Sequence, residues 1–470
     1  MPVPHEHCGL AGPTWAGRAN SQMATKIEST PRSFSGWWQL FFLWIAYTMP
    51  IGFAFYGPAV LYPVMIKDLD WSRAKIMTGS TGIMLLLGLA APLAAWMIGR
   101  FGARVTLALG GAIVALASFL IGLLGHVYAM YLTLSLALGL GICLATMIPI
   151  QTVAIAWFHE RRALALGLVL GGGAIGGFLA PQAINQAILG AGEGWRIGWY
   201  MIAGACVLGV AVALLAVRNR PSDVGQHPYG LCPEAPGHVT RGEQQPTTRT
   251  YRTQVSWTLR AAVKTPTFWL LIVAVAGNFS LWQIVMTQGP LHLQDRGFDA
   301  VQTAFFYSLA IGLSIAGRFT TAALGDTVEP RHLFALGACS TLIGGILFWF
   351  VSPSAIWTAY LYSLLTGFGF GASYVCVPTI IGNYWGPEAF PGVSGLISPA
   401  IMVFEATAAP LAGFLYDIQG SYIVVMVISW VGAALSLVAI LLCTPPRPRN
   451  GAGIATWSNP TSFPKGAKLG

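Results

Sequence analysis

The chain has 470 residues, of which 55% are hydrophobic and only 9% charged, against about 25% charged residues in a soluble domain. That balance excludes an ordinary soluble globule and points to a bilayer. The sequence contains no nucleophile–base set, phosphate-binding loop after a strand or zinc-ligand spacing, so an enzyme is disfavoured and no cofactor or metal is expected.

Residues 1–35 lack the short apolar core and small-residue cleavage site of a secretory signal. They read as a retained, disordered cytoplasmic tail, and that reading is preferred over a metal site at His5, His7 and Cys8. A membrane helix needs about 20 mostly apolar residues, and charge-free runs of that length or longer follow one another. Ser33 to Ile66 is one run and Ile76 to Gly99 the next; Val105 to His159 is long enough for two helices with a turn near Gly125-His126. Ala163 to Gly192 and Ile197 to Val217 bring the count to six. Arg218 to Lys264 is polar and rich in Pro, Gly, Thr and Gln, the composition of a partly disordered linker. Six more spans are predicted at 267–290, 300–324, 331–352, 355–384, 389–416 and 420–443. The predicted organisation is thus a tail 1–35, a six-helix half 36–217, a cytoplasmic linker 218–265, a second half 266–443 and a cytoplasmic tail 444–470. The seven cysteines (Cys8, Cys143, Cys206, Cys232, Cys339, Cys376, Cys443) stand singly and are expected as free thiols.

Orientation follows from Lys and Arg. With the amino terminus inside, the outer loops hold only Lys67, Arg73, Lys75, Arg196 and Arg296, and the tails, linker and inner loops hold nearly all the rest. Both termini are therefore predicted cytoplasmic, in the plasma (cell inner) membrane. The net charge of +9 is this bias and implies no nucleic-acid partner.

The halves repeat. Arg331 follows Arg104 by 227 positions, and Ala108-Leu109-Gly110 reappears as Ala335-Leu336-Gly337; Gly167-Leu168 reappears as Gly395-Leu396. Two parallel six-helix halves suit a substrate site near the midplane, with alternating access by rocking. Two ionisable groups interrupt the spans of the second half only: Arg318 in the eighth and Glu405 in the eleventh. Intramembrane charge is costly and usually marks a substrate or ion path. Arg318 lies about 12 Å from the inner end and Glu405 roughly 18 Å from the outer end at 1.5 Å per residue. Glu405, pulled up by burial and down by a nearby arginine, is a candidate proton carrier; a static Arg318–Glu405 pair is the structural alternative. Uncharged polar groups in the spans, among them Tyr47, Gln151, Asn278, Tyr374 and Asn383, include candidates for lining a cavity.

Over residues 36–443 the sequence resembles the major facilitator superfamily, in its monocarboxylate-transporter and oxalate/formate-antiporter-like branch. Gly99-Arg100-Phe101-Gly102-Ala103-Arg104 is similar to the loop between helices two and three, with Gly99 where the family has Asp; in the second half Asp326 and Arg331 occupy the matching positions. Trp157-Phe158-His159-Glu160-Arg161-Arg162-Ala163-Leu164-Ala165-Leu166-Gly167 resembles the signature entering helix five of monocarboxylate transporters, with Glu160 replacing Lys. The resemblance implies an all-α fold of twelve transmembrane helices in two pseudo-repeats. It implies that Gly317-Arg318 carries the arginine that binds a substrate carboxylate. It also implies gating loops containing Arg100, Gly102, Arg104, Arg161, Arg162, Asp326 and Arg331. The proton-partner Asp of mammalian members corresponds to Ser314 here, and their first-helix Lys to Gly57-Pro58-Ala59. An acid late in the chain, where the oxalate exchanger has a second base, argues against a dianion.

The expected function is a secondary transporter of a small organic monoanion, with protons as possible co-substrate. The alternatives are a carrier of a larger or neutral metabolite or a proton-driven exporter, and a membrane sensor that does not transport.

Overall fold

The computed structural model describes residues 34–191, 194–230, 250–253, 255–419 and 423–447. The chain separates into Met1–Ser35 and Gly36–Gly470. The first unit is described only at residues 34–35, so His5, His7 and Cys8 lie outside the described residues, as do Cys232 and the tail beyond residue 447. Everything below concerns the second unit.

Without water to satisfy backbone groups, a chain crosses a bilayer as helix or closed barrel, and the described residues form twelve helical rods. The first, α1, runs through Gly36–Thr48, a π-helical stretch Met49–Tyr56, and Pro58–Leu69. Pro50 has no N–H to donate, and the widened turns absorb that loss. The second, α2, comprises Arg73–Leu89 and Ala91–Phe101, bent by 50°. Then come α3 (Ala103–Gly122), α4 (Tyr128–Ala145 and Met147–Trp157, broken at Thr146 just before Pro149), α5 (Arg162–Ala191) and α6 (Trp195–Leu215). The second half contains α7 (Pro266–Asp295), α8 (Ala300–Leu324) and α9 (Pro330–Trp349). The run Trp357–Gln419 turns a corner at Gly386 (φ 78°, ψ 173°), which divides it into α10, residues 357–385, and α11, residues 387–419; that conformation favours glycine. Ile423–Leu442 is α12.

Local chemistry sets several starts. Pro266 and Pro330 occupy first-turn positions where their missing N–H costs nothing. At α8 the Asp299 carboxylate accepts from the Gln302 backbone N–H at 2.7 Å and the Gln302 amide oxygen accepts from the Asp299 N–H at 3.3 Å, a reciprocal cap. Among the described residues nine helices are long and apolar enough to span a membrane, ten counting the bent pair in α2. The other two rods are α8, whose apolar run is broken by Arg318, and α11, which continues from α10 through the Gly386 corner.

Both halves use one packing plan. In the first, α3 packs on α4 and α6, and α2 on α4; in the second, α9 packs on α10 and α12, and α8 on α10. Large apolar side chains such as Trp96, Phe178 and Leu215 face outward, as a lipid-facing surface requires. The segment expected as a partly disordered linker is ordered at both its ends. Pro221–Val224 forms a 3-10 turn, Tyr229 pairs with Phe158, and Leu259–Val263 is a short helix; residues 231–249 lie outside the described residues.

Between helices in lipid, close packing of small residues takes the place of a hydrophobic drive. Gly367 and Gly371 of α10 lie against the backbone of Ala310 and Ser314 of α8, and Gly317 of α8 lies against Phe368 and Ala372 of α10; a Cβ at any of the three would strike backbone. This contact fixes the position of Arg318, the residue after Gly317. Gly371→Val should part α8 from α10 at a cost of about 1–3 kcal/mol, the usual range for overpacking. A drop in the thermal midpoint of the detergent-purified protein is the expected readout, and an unchanged midpoint would remove the stripe from the account.

Candidate functional site

Arg318 is 8% exposed and sits where the halves meet. Its Nη1 donates to the Leu170 carbonyl of α5, in the other half, at 3.3 Å. Its guanidinium lies over the Tyr374 ring of α10, 4.6 Å from the centroid, a cation–π geometry. Its Nε is buried with no hydrogen-bond partner. Tyr374 in turn donates its hydroxyl to Met147 Sδ of α4 at 3.5 Å and is hydrogen-bonded to buried Tyr47 of α1. The guanidinium is therefore flanked by α5 of one half and α10 of the other, and Tyr374 links it to α1 and α4. A buried cation with an unspent donor is costly unless it meets an anion, and the planar fork of arginine suits a carboxylate.

Ser314, one turn before Arg318, is 3% exposed and donates its hydroxyl to the Ile311 carbonyl at 2.6 Å, so it is bonded within its own helix. The backbone of Glu405 belongs to α11. Its side chain lies outside the described residues.

At the end of the bundle carrying the linker, the halves are joined by a second cluster. Arg162, 3% exposed at the start of α5, donates Nη1 to the Gly382 carbonyl at 2.7 Å and to Asn383 Oδ1 at 3.1 Å, both at the end of α10. Asp326, just after α8, accepts from the Ala163 and Leu164 backbone N–H groups, each at 3.1 Å. Its charge thus meets the positive end of the α5 dipole. Gly167 of α5 faces Ala322 of α8 beside it, and Gly395 of α11 faces Ala91 and Ala95 of α2. The sequence did not flag Arg252, which falls in the segment expected as a partly disordered linker. Arg252 sits 3.6 Å from Asp326, an ion pair too long to be a hydrogen bond. The Thr253 N–H donates to the Asn383 carbonyl at 2.8 Å, so the linker straps this junction. Burial, with Arg162 and Arg252 alongside, pushes His159 down to about 4, leaving it neutral at physiological pH.

The other residues of the expected gating loops have no contact across the halves among those described and meet their own half or the start of the linker. Arg100 is exposed, beside Phe101. Gly102 has φ 85°, and a Cβ there would meet Asn219. Arg104 takes Asn219 Oδ1 on its backbone N–H at 2.8 Å, and its guanidinium donates to the Leu214 carbonyl at the end of α6. Arg161 is exposed over the Tyr229 ring, and Arg331 is half-buried with an unpartnered Nε. Among the described residues five cysteines are free, and no group of three His, Cys, Asp or Glu could hold a metal.

Burial raises the Asp326 carboxyl above its ordinary range, outweighing the opposing pull of the two N–H groups, Arg252 and Arg162. When the halves part, the group should return toward its ordinary value, so the joined state binds the proton more tightly. Its contribution is fully present below the ordinary pKa and lost as pH rises through the raised one. Acidification into the carboxylate range should therefore favour the joined state. Spin-label distances between the ends of α5 and α8 should shorten on acidification in the wild type and lose that response in Asp326→Asn.

The model of the Major Facilitator Superfamily matches residues 43–403. The chain is 24% identical to monocarboxylate transporter 2 of Rattus norvegicus over 90% of this chain and 87% of that one. It is 26% identical to monocarboxylate transporter 13 of Bos taurus over 78% of each. Its fold is similar to that of the proton:xylose symporter XylE bound to 6-bromo-6-deoxy-D-glucose, with a TM-score of 0.65 at 13% identity over 87% of this chain and 94% of that one. With twelve rods in two like-packed halves and a family match across most of its length, this chain belongs to the major facilitator superfamily of membrane transporters.

Proposed function

We propose that the protein carries a small organic monocarboxylate across the membrane by alternating access, with Arg318 as the carboxylate anchor. The observation that carries this reading is the Arg318 guanidinium, buried between the halves with its Nε unpartnered and Tyr374 beneath it. The names of the related monocarboxylate transporters support the same cargo. On this reading the linker end, where Lys and Arg are in excess, is cytoplasmic, both termini lie there, and the membrane is the plasma membrane. The Asp326–α5 cap and the Arg162–α10 bonds are then the cytoplasmic gate, and they break when one half rocks against the other. Arg318 must let go of the Leu170 carbonyl in the same motion, which couples the anchor to the gate.

Glu405 is the residue we assign to proton coupling, because Ser314 has no carboxyl to offer. Protonation of Glu405 before the anion binds would let proton and substrate travel together.

The test is uptake of labelled lactate at external pH 5.5 and 7.5. Arg318→Gln should abolish uptake, and Arg318→Lys should recover little of it, since an ammonium cannot make the bidentate contact. Glu405→Gln should retain anion exchange and lose the stimulation by acid. Normal uptake by Arg318→Gln at wild-type surface levels would falsify the anchor.

A further inference from the structure

We infer that the cargo is an arene carboxylate: a single carboxylate borne on or one carbon from an aromatic ring, which stacks on a wall of aromatic side chains beside Arg318. This rests on the anchor reading above and extends it to the rest of the substrate.

The wall is built from two helices. On α10, Phe370 and Tyr374 are four residues apart and share a face; on α7, Phe279 and Trp282 are three apart and share another. Trp282 stacks on Phe370 with centroids 4.3 Å apart and planes 2° from parallel. Phe279 stacks on Tyr374 at 6.1 Å and 17°, and meets Phe370 edge-on at 5.1 Å. The row is continuous with the guanidinium, because Arg318 lies on the Tyr374 ring.

Two observations distinguish this row from core packing or a lipid-facing patch. The aromatic residues that pack the core of the same half, such as Phe268, Phe306, Phe348 and Trp385, are 2% exposed or less. Phe279, Trp282, Phe370 and Tyr374 are all only half-buried, so each keeps free surface. Tyr374, the end of the row beside Arg318, is turned to the other half, where it reaches Met147 of α4 and Tyr47 of α1. Toward the end opposite the linker, Tyr56 of α1 and Tyr307 of α8 come within electrostatic reach of each other across the halves. The site therefore has a charged floor, one aromatic side and a tyrosine rim.

A short aliphatic acid would satisfy the guanidinium and leave this apolar wall wet. An aryl ring held one or two bonds from the carboxylate covers it. Offset stacking adds to plain burial of the ring, and a difference of about 1.4 kcal/mol is tenfold in affinity.

The experiment is uptake into proteoliposomes of the full chain with five probes: benzoate, phenylacetate, acetate, lactate and the neutral benzamide. Wild type, Trp282→Leu, Phe370→Leu and Arg318→Gln are compared, each confirmed folded by its thermal midpoint. The expected result is an apparent affinity for benzoate or phenylacetate about tenfold above that for lactate or acetate. The Trp282→Leu and Phe370→Leu variants should reduce that ratio to about threefold or less, and benzamide should not be carried. Lactate or acetate carried as well as the aryl acids by wild type, or a ratio untouched in both leucine variants, overturns the arene inference; if Arg318→Gln still abolishes their uptake, the anchor stands. Benzamide carried as well as benzoate, with Arg318→Gln indifferent, overturns the anchor and the arene inference with it. Uptake of none of the five overturns both.

Discussion

Backbone contact between α8 and α10 is the constraint on which the site depends. Lipid supplies no hydrophobic drive to bring two helices together, so they meet where side chains are absent. Gly317, Gly367 and Gly371 provide that absence. The contact holds Arg318 against the Tyr374 ring and within reach of the Leu170 carbonyl across the halves. A guanidinium on a looser helix would swing toward water, as long basic side chains do near a membrane surface. Held here, it stays buried with its Nε unpartnered, and that is the feature on which the anchor proposal rests.

The two halves share a packing plan and differ in chemistry. Asp326 caps α5 from the second half, whereas the position related to it by the repeat, Gly99, has no neighbour within reach of a Cβ. The corner that Gly99 cannot serve lies at the end of α10 and the start of α11. There the linker contributes, with Thr253 bonded to the Asn383 carbonyl and packed on Gly386. Arg252 from the same strand faces Asp326. The junction is thus built from unequal parts, and a segment that joins the halves covalently also ties them at their ends.

Much of the fold was legible because the bilayer is a strict reader of sequence. Span positions follow from apolar length, and the repeat follows from the spacing of Arg104 and Arg331. The intramembrane charges at Arg318 and Glu405 stand out against an otherwise uncharged background. Asp326, Arg162 and Arg318 were singled out by motif, and the structure brings all three to the junction of the halves. Arg100, Arg104, Arg161 and Arg331 were singled out equally and instead meet their own half or the start of the linker. Nothing in the motif separates the two groups, because the distinction depends on which helix end lies opposite. Arg252 was missed for a different reason: a polar, proline-rich stretch carries no periodic signal, and it is ordered only by the surface on which it lands.

The sequence by itself determined that the chain spans a membrane, that it does so in two related halves and that few charges lie within them, since the cost of polar groups in hydrocarbon is paid residue by residue. Tertiary structure alone decided which polar groups meet. Tyr47, Tyr374, Met147 and Leu170 are distant from Arg318 in the chain and gather around it only through helix contacts that glycines permit. The aromatic row of α7 and α10 likewise becomes one wall only when two faces, each unremarkable in its own helix, are set side by side.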